Sequence, residues 1–543
     1  VREGLPPMTR WQRLNKPKPS TASGALVASA GVVMGLSVIS KLLGFARDIV
    51  IATFYGAARV TDAFLVAQSL AQTMIGTIGG ALGTGVLPVV TELRVRGKTN
   101  DARLAASTVL NLTLAISAAL GLLGVIAARP LTALVAPGLP PDIIDLGARL
   151  ARVLFVVFIF VGTGTVLGLL LNSLKDFAVP ALTPVLINVG TIAVVIWAAR
   201  SLGIRAVVYG YAAGAVAQFI LQGFWLRRRG LPPSLAFDLG HPAVRRVIVL
   251  ALPVLAGAAV GGLFALTDNW LASHLAEGSI SAKTFGLKLI QVPVGILVTG
   301  VSTVIFPALS ERAAKRDEAG LADTIAFGIR AMALITIPAA VGLAVLRVPI
   351  VRTLFERGAW DDRATAMTAA VVLYYAIGIF GLTVGPVPGR AFQGMQNMVT
   401  PLLVGIFQAA ANILLDFLLI RRLGLVGLSL ANAIAVYLGL GVMYHLLNRR
   451  VRGIPNARLA VSLLKIIAAS AIMGVVVSLV LPVADRLVPA ASLAVEAVKL
   501  FGLIALGVAA YLAGLITLRL DEVRSLGSLL SRVARRSGSS RRK

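Results

Sequence analysis

Gly85-Val86-Leu87-Pro88, followed by Thr91-Glu92, returns later in the chain as Val304-Ile305-Phe306-Pro307, followed by Ser310-Glu311. The offset, 307 − 88, is 219 residues. A second landmark, Thr183-Pro184-Val185-Leu186, returns as Thr400-Pro401-Leu402-Leu403 at 400 − 183 = 217. Landmarks this close in offset divide the chain into two related halves; the competing reading is chance likeness between helices rich in Leu, Val and Ala. Around them lie long apolar stretches over 25-54, 61-91, 103-128, 148-171, 179-199, 205-226, 246-273, 281-309, 324-346, 365-388, 399-420, 424-447, 459-484 and 491-518. A helix needs roughly 20 such residues to cross a bilayer. The expected fold is therefore an all-α polytopic membrane protein with about 14 transmembrane helices, in which two pseudo-symmetric six-helix lobes are followed by two C-terminal helices. Parallel repeats with a site between them are a transporter arrangement.

Composition excludes a soluble enzyme. Of 543 residues, 57% are apolar and 14% charged, against about a quarter charged in a soluble domain. The 51 Lys and Arg outnumber the 23 Asp and Glu, for a net charge of +28. That excess gathers in alternate connections: Arg94, Arg96, Lys98 and Arg103; Arg227, Arg228, Arg229, Arg245 and Arg246; Arg312, Lys315 and Arg316; Arg449, Arg450, Arg452 and Arg458; and the C-terminal tail. The intervening connections are leaner, and the richest of them, 347–363, carries Glu356, Asp361 and Asp362 beside its arginines. The positive-inside rule then puts both termini in the cytoplasm of a multi-pass plasma-membrane protein. The charge is topological, with anionic membrane lipids as secondary partners and no nucleic acid required. Residues 1-24 and 521-543 read as basic cytoplasmic tails, the first a tail rather than a signal peptide.

Catalysis has no visible seat. The chain has no cysteine, its histidines (His241, His274 and His445) are far apart, and no phosphate-cradling glycine loop or zinc-protease pair occurs. No metal, cofactor or catalytic residue is expected, and no connection is long enough for a nucleotide-binding domain. Energy is left to gradients, the membrane potential or the substrate, and a coupling ion stays open as a partner.

Charges inside spans carry the functional reading, because each costs at least about 2.5 kcal/mol to insert. The first span holds Lys41, Arg47 and Asp48; Asp62 opens the second, Asp268 lies late in the seventh, Lys288 within the eighth and Asp416 in the eleventh. Lys41, Arg47 and Lys288 are the substrate-binding candidates, converging on an anion such as a diphosphate, for which Arg offers a fork and Lys a point charge. Asp48, Asp62 and Asp268 are the candidates for charge pairing or gating. The plainer alternative is Arg47 snorkelling at a helix end beside Asp48. Gly79, Gly80, Gly83 and Gly85, with Gly257, Gly261 and Gly262, read as helix-contact positions, and Gln218 and Gln222 as either substrate or interhelix donors.

At these residues the chain resembles the MviN/MurJ family of lipid II flippases, within the multidrug/oligosaccharidyl-lipid/polysaccharide exporter superfamily. The resemblance rests on Ser40-Lys41-Leu42-Leu43-Gly44-Phe45-Ala46-Arg47-Asp48 with Thr61-Asp62-Ala63-Phe64; Ala136-Pro137-Gly138; Leu171-Asn172-Ser173 with Phe177, Pro180, Pro184 and Asn188; and Glu277-Gly278-Ser279-Ile280-Ser281 through Lys288, Gln291, Pro293, Gly295 and Phe306-Pro307. It implies an N-lobe over 25-230, a C-lobe over 231-452 and a final helix pair over 453-520 that forms a groove for a polyprenyl tail. It further implies two lobes rocking around a cationic cavity, with Arg47, Asp48 and Asp62 in family positions and Lys41 and Lys288 standing where Arg is usual. In the second span Met74-Ile75 and Gly79 stand where the family often carries an Arg pair and an acid. The implied activity is translocation of lipid-linked peptidoglycan precursor between leaflets by alternating access. A flippase for another polyprenyl-diphosphate-linked glycan, a cation-coupled exporter and a non-transporting envelope scaffold are the alternatives.

Overall fold

The computed structural model describes residues 19–488 and 492–519, so both basic tails lie largely outside the described residues. The first half comprises α1 (Pro19–Tyr55), α2 (Arg59–Val95), α3 (Thr99–Ile126), the short α4 (Ala128–Val135), α5 (Pro141–Ser173), α6 (Ala178–Leu202) and α7 (Arg205–Arg228). The second comprises α8 (Pro242–Ser273), α9 (Ser279–Ala314), α10 (Glu318–Val345), the short α11 (Arg347–Phe355), α12 (Asp362–Gly394), α13 (Val399–Leu423) and α14 (Leu425–Arg450). α15 (Asn456–Leu487) and α16 (Leu493–Thr517) follow. Among the described residues there is no strand. Twelve of these helices are long and apolar enough to cross a membrane, and α1 and α9, at 37 and 36 residues, have the length for two more.

The two halves pair their helices in the same way. In the first, α1 packs on α6, α2 on α3 and α5, α3 on α5, α5 on α7, and α6 on α7. In the second, α8 packs on α13, α9 on α10 and α12, α10 on α12, α12 on α14, and α13 on α14. Matching tight turns close the last hairpin of each half at Gly203 and Gly424, with φ of 56° and 57°. α15 and α16 pack on one another, and α15 leans on α10. The short α4 and α11 also correspond, each lying between the third and fourth long helices of its half. At 8 and 9 residues they are far below spanning length, so hydropathy passes over them; the stretch at 347–363, expected as a plain loop, contains α11. The stretch expected as a tail over 1-24 likewise meets α1 from Pro19 onward.

The cores are distributed unevenly. At the end that carries Tyr55, Asp62 and Ser273, one apolar cluster runs through both halves, joining Phe64, Leu70, Leu154 and Phe155 to Leu271, Phe285, Phe355 and Trp360. At the Arg-rich end the halves have separate clusters, one around Val86, Val109, Leu170 and Val247 and one around Leu309, Ile325, Phe392 and Leu447. The Arg-rich end of α8 belongs to the first of these, packed on α2, and there Arg246 also meets Glu92 at 2.7 Å. The halves thus share one continuous core at one end, and at the other they are joined through α8 alone.

α2 owes its position to its small residues. A Cβ on Gly79 would run into the carbonyl of Gly162 on α5, whereas one on Gly80 would meet nothing within 4 Å. A π-helical turn over Gln72–Gly76 immediately precedes this contact, and Ile75 is fully buried beside it. Close packing therefore occupies the part of the second span where the resemblance led one to look for an arginine pair and an acid. Gly79→Ala should lower thermal stability in detergent by about 1–3 kcal/mol, and Gly80→Ala should leave it unchanged; equal effects would contradict the packing described.

Candidate functional site

α1 and α9 run along the seam between the halves, and two rungs of polar contact join them. At the first, Asp48 Oδ1 accepts hydrogen bonds from Arg47 Nε at 3.2 Å and Nη2 at 2.9 Å on its own helix, and from Lys288 Nζ of α9 at 2.9 Å. At the second, two turns nearer the Arg-rich end, Lys41 Nζ donates to the Gly295 carbonyl at 3.0 Å. Lys41 and Asp48 are seven residues apart, as are Lys288 and Gly295, which is the spacing that keeps both rungs on one face of each helix.

The first rung is nearly dry. Asp48 is 4% exposed, while the side chains of Arg47 and Lys288 are 17% and 26% exposed. The cleft they share is tight, with about 10 Å³ of free volume, and is also lined by Gln68, Thr191, Tyr211 and Phe285. Lys288 Nζ stands 5.4 Å from the Phe285 ring centroid. Phe285 belongs to an aromatic group with Phe355 and Trp360, and Phe45 of α1 joins it through Phe355 at 6.0 Å. Phe285 is the member of this group that lines the cleft. One carboxylate against two cations leaves a net charge of +1 in a low-dielectric setting, and charge-assisted donors there attract a further anion strongly.

Asp62 does something different from the expected cation pairing. Its Oδ2 accepts from the Gly278 backbone N–H at 2.9 Å, and its Oδ1 accepts from the N–H and hydroxyl of Ser281 at 2.8 and 2.5 Å. A carboxylate of the first half therefore caps the start of α9 in the second, where a helix presents unpaired N–H groups and positive dipole. Backbone contacts seal the same end. Ala359 N–H donates to the Thr53 carbonyl at 2.8 Å, and Gly138 N–H donates to Ser273 Oγ at 3.2 Å. Gly358 sits against the Thr53 carbonyl and Gly278 against that of Ala57, where any Cβ would collide. Each half thus presses the loop after its short helix onto the end of the other half's first helix.

Asp268 stands apart from the Arg47 cleft. It pairs with Lys283 at 3.0 Å, beside the fully buried Asp416, which accepts from Asn412. The carboxyls of Asp268 and Asp416 lie within hydrogen-bond reach of one another, and the Tyr375 hydroxyl within reach of Ser429 beside them, so the cluster gathers oxygen atoms around the Lys283 ammonium. Among the described residues no three His, Cys, Asp or Glu side chains converge as a metal site. Sequence reasoning missed Lys283, Tyr211 and Phe285. Lys283 was available as a charge within the eighth apolar stretch, five residues before Lys288, but the other two gave no signal. Gln222 donates to Thr183 Oγ1 at 2.7 Å, which joins helices α7 and α6.

Comparison with known proteins places these features in context. The family model described as "Lipid II flippase MurJ" matches residues 51–517. The probable lipid II flippase MurJ of Vibrio cholerae is 30% identical over 525 residues, 93% of this chain and 99% of that protein. The lipid II flippase MurJ of Burkholderia cenocepacia is 28% identical over 428 residues, covering 75% and 82%. Among solved structures, a lipid II flippase MurJ in an inward closed conformation superposes with a TM-score of 0.75 at 23% identity, covering 90% of this chain and 99% of that one. An inward-facing multidrug transporter of the MATE family, in the MOP superfamily, gives 0.66 at 16% identity, covering 78% and 98%.

The Asp62 cap generates a direct test. Asp62→Ala removes three hydrogen bonds to a charged acceptor, each worth roughly 1.5–3 kcal/mol, from the closed end. In a chain without native cysteine, a cysteine placed at the buried Ala57 should then react with a water-soluble maleimide at least about tenfold faster. Unchanged labelling would contradict the role given to Asp62.

Proposed function

The chain belongs to the MurJ family of lipid II flippases, and we propose that Arg47, Lys288 and Lys41 receive the diphosphate of that substrate. The protein is a membrane transporter, not an enzyme: it moves the lipid-linked peptidoglycan precursor from the inner to the outer leaflet for cell-wall synthesis. The observation that carries the assignment of the site is the excess cation at the seam, where Arg47 and Lys288, from different halves, share one oxygen of Asp48.

The Arg-rich end faces the cytoplasm, as the positive-inside rule supports. There no core is shared across α1 and α9, and the headgroup enters between these helices past Lys41. Its phosphates offer Arg47 a bidentate acceptor and Lys288 a second one. Asp48 then loses its hold on α9, and anionic substrate takes over the charge balance that Asp48 supplied. With the halves, 25-230 and 231-452, no longer pinned by Asp48–Lys288, rocking opens the opposite end by breaking the Asp62 cap and the Thr53–Ala359 contact. Segment 453-520 holds the polyprenyl tail. A groove of about 430 Å³ between α10, α15 and α16 supports this, lined by Pro338, Gly342, Met473, Gly474, Gly507 and Tyr511 and almost wholly apolar. For a coupling ion, the candidate is the Asp268–Asp416 cluster, in which Lys283 is a tethered cation.

Leaflet-resolved labelling of lipid II in cells that depend on this protein tests the reading. Arg47→Ala and Lys288→Ala should each cut outer-leaflet appearance at least tenfold, equivalent to roughly 1.4 kcal/mol or more, with membrane insertion unchanged. Lys288→Arg should retain activity. If both alanine variants flip lipid II at the wild-type rate, the cation site is wrong.

A further inference from the structure

The connection between the halves is neither a helix nor a free loop. From Leu231 to Asp238 the chain has no regular structure; it rises along α3 to Asn111, turns with the Ala236 N–H on the Ser234 carbonyl at 3.0 Å, and returns to Thr108. Arg103 donates to the Gly230 carbonyl at 3.3 Å. Ser107 Oγ accepts from the Ser234 N–H at 3.2 Å and bonds its hydroxyl at 3.0 Å. Asn111 Nδ2 donates to the carbonyls of Ser234 at 2.8 Å and Ala236 at 3.0 Å, and Thr108 Oγ1 accepts from the Asp238 N–H at 3.3 Å. From Arg103 to Asn111 the strap follows about 12 Å of helix.

Along this segment Leu235, Phe237 and Leu239 are 96%, 62% and 53% exposed. The face of α3 that bears Ser107 and Asn111 continues along the helix to Leu114 and Leu122, both exposed apolar residues on a spanning helix. Up to Asn111 the strap covers that face; beyond it, the same face is bare. The outer side of the strap therefore looks onto the medium that Leu114 and Leu122 look onto, which is lipid. Irregular backbone is tolerated at membrane depth only where protein satisfies its polar groups, and Ser107, Thr108 and Asn111 are polar residues placed to do so. Exposed Arg227, Arg228 and Arg245 flank the strap at its two ends, with Arg228 folded over Phe224 at 4.5 Å.

We infer that residues 231–240 are a membrane-seated strap on the headgroup–acyl boundary of an anionic leaflet, with Leu235, Phe237 and Leu239 among the acyl chains and Arg227, Arg228 and Arg245 against headgroup phosphates. Basic residues near an anionic surface and apolar residues in the acyl layer are the two contributions that seat interfacial segments. This assignment is independent of which lipid-linked substrate the seam takes.

The absence of cysteine makes the test direct. Single cysteines at 235, 237 and 239, and one at the exposed Lys98, are labelled with nitroxide in full-length protein in phosphatidylglycerol–phosphatidylcholine vesicles. Collision with oxygen is compared with collision with a water-soluble nickel chelate. The three strap positions should favour oxygen over nickel by several-fold relative to 98, and this contrast should fall at least twofold in phosphatidylcholine alone. Nickel access at 235, 237 and 239 equal to that at 98 would overturn the strap's seat in the membrane. Equal contrast in the two vesicles would overturn the anionic partner.

Discussion

One carboxylate oxygen of Asp48 holds two cations, and the remainder of the architecture is arranged around that contact. A lone charge within a span is costly, and a buried ion pair broken by loss of one partner costs about 3–5 kcal/mol. Asp48 is needed by Arg47 on its own helix and by Lys288 on the other half, so the pairing is at once a solution to insertion and a pin across the seam. It leaves one positive charge over. A transporter for a diphosphate can use this if, as proposed above, the substrate takes the place of the carboxylate as the anion and frees the pin in the same event.

The distribution of apolar packing explains why such a pin matters. A single core crosses the seam at the Asp62 end, where the cap on α9 and the reciprocal Gly138–Ser273 and Ala359–Thr53 hydrogen bonds join the halves. At the other end there are two clusters, and α8 of the second half joins the first by packing on α2. Opening one end and closing the other therefore means exchanging a dry, shared core for two separate ones. That exchange needs a driving contact at the fulcrum, where Asp48 lies.

Much of this was legible in the sequence. Span number and the doubled architecture followed from apolar length and from the GVLP/VIFP and TP landmarks, because hydropathy and proline placement are local properties. Arg47, Asp48 and Lys288 stood out because charge in an apolar span is anomalous wherever it sits. What escaped was pairing at a distance. Asp62 looked like a partner for a cation, yet it serves the N-terminus of α9, since backbone N–H groups leave no mark in a sequence. Asp268 was grouped with the central charges, but Lys283, one helix away, takes it. α4 and α11 were invisible because 8 or 9 residues with a single buried face do not raise hydropathy above that of a loop. The strap over 231–240 was hidden for a similar reason: its meaning lies in Ser107, Thr108 and Asn111, which become informative only once α3 is seen beside it.

Native mass spectrometry of the purified protein with lipid II tests the central claim most directly, because it reads occupancy without requiring transport. The account predicts that wild type retains the lipid and that the Arg47→Ala/Lys288→Ala double variant, folded to the same thermal midpoint, loses at least about a hundredfold in affinity, or ~2.7 kcal/mol. Equal occupancy of the two proteins would contradict the assignment of the diphosphate to the Asp48 seam.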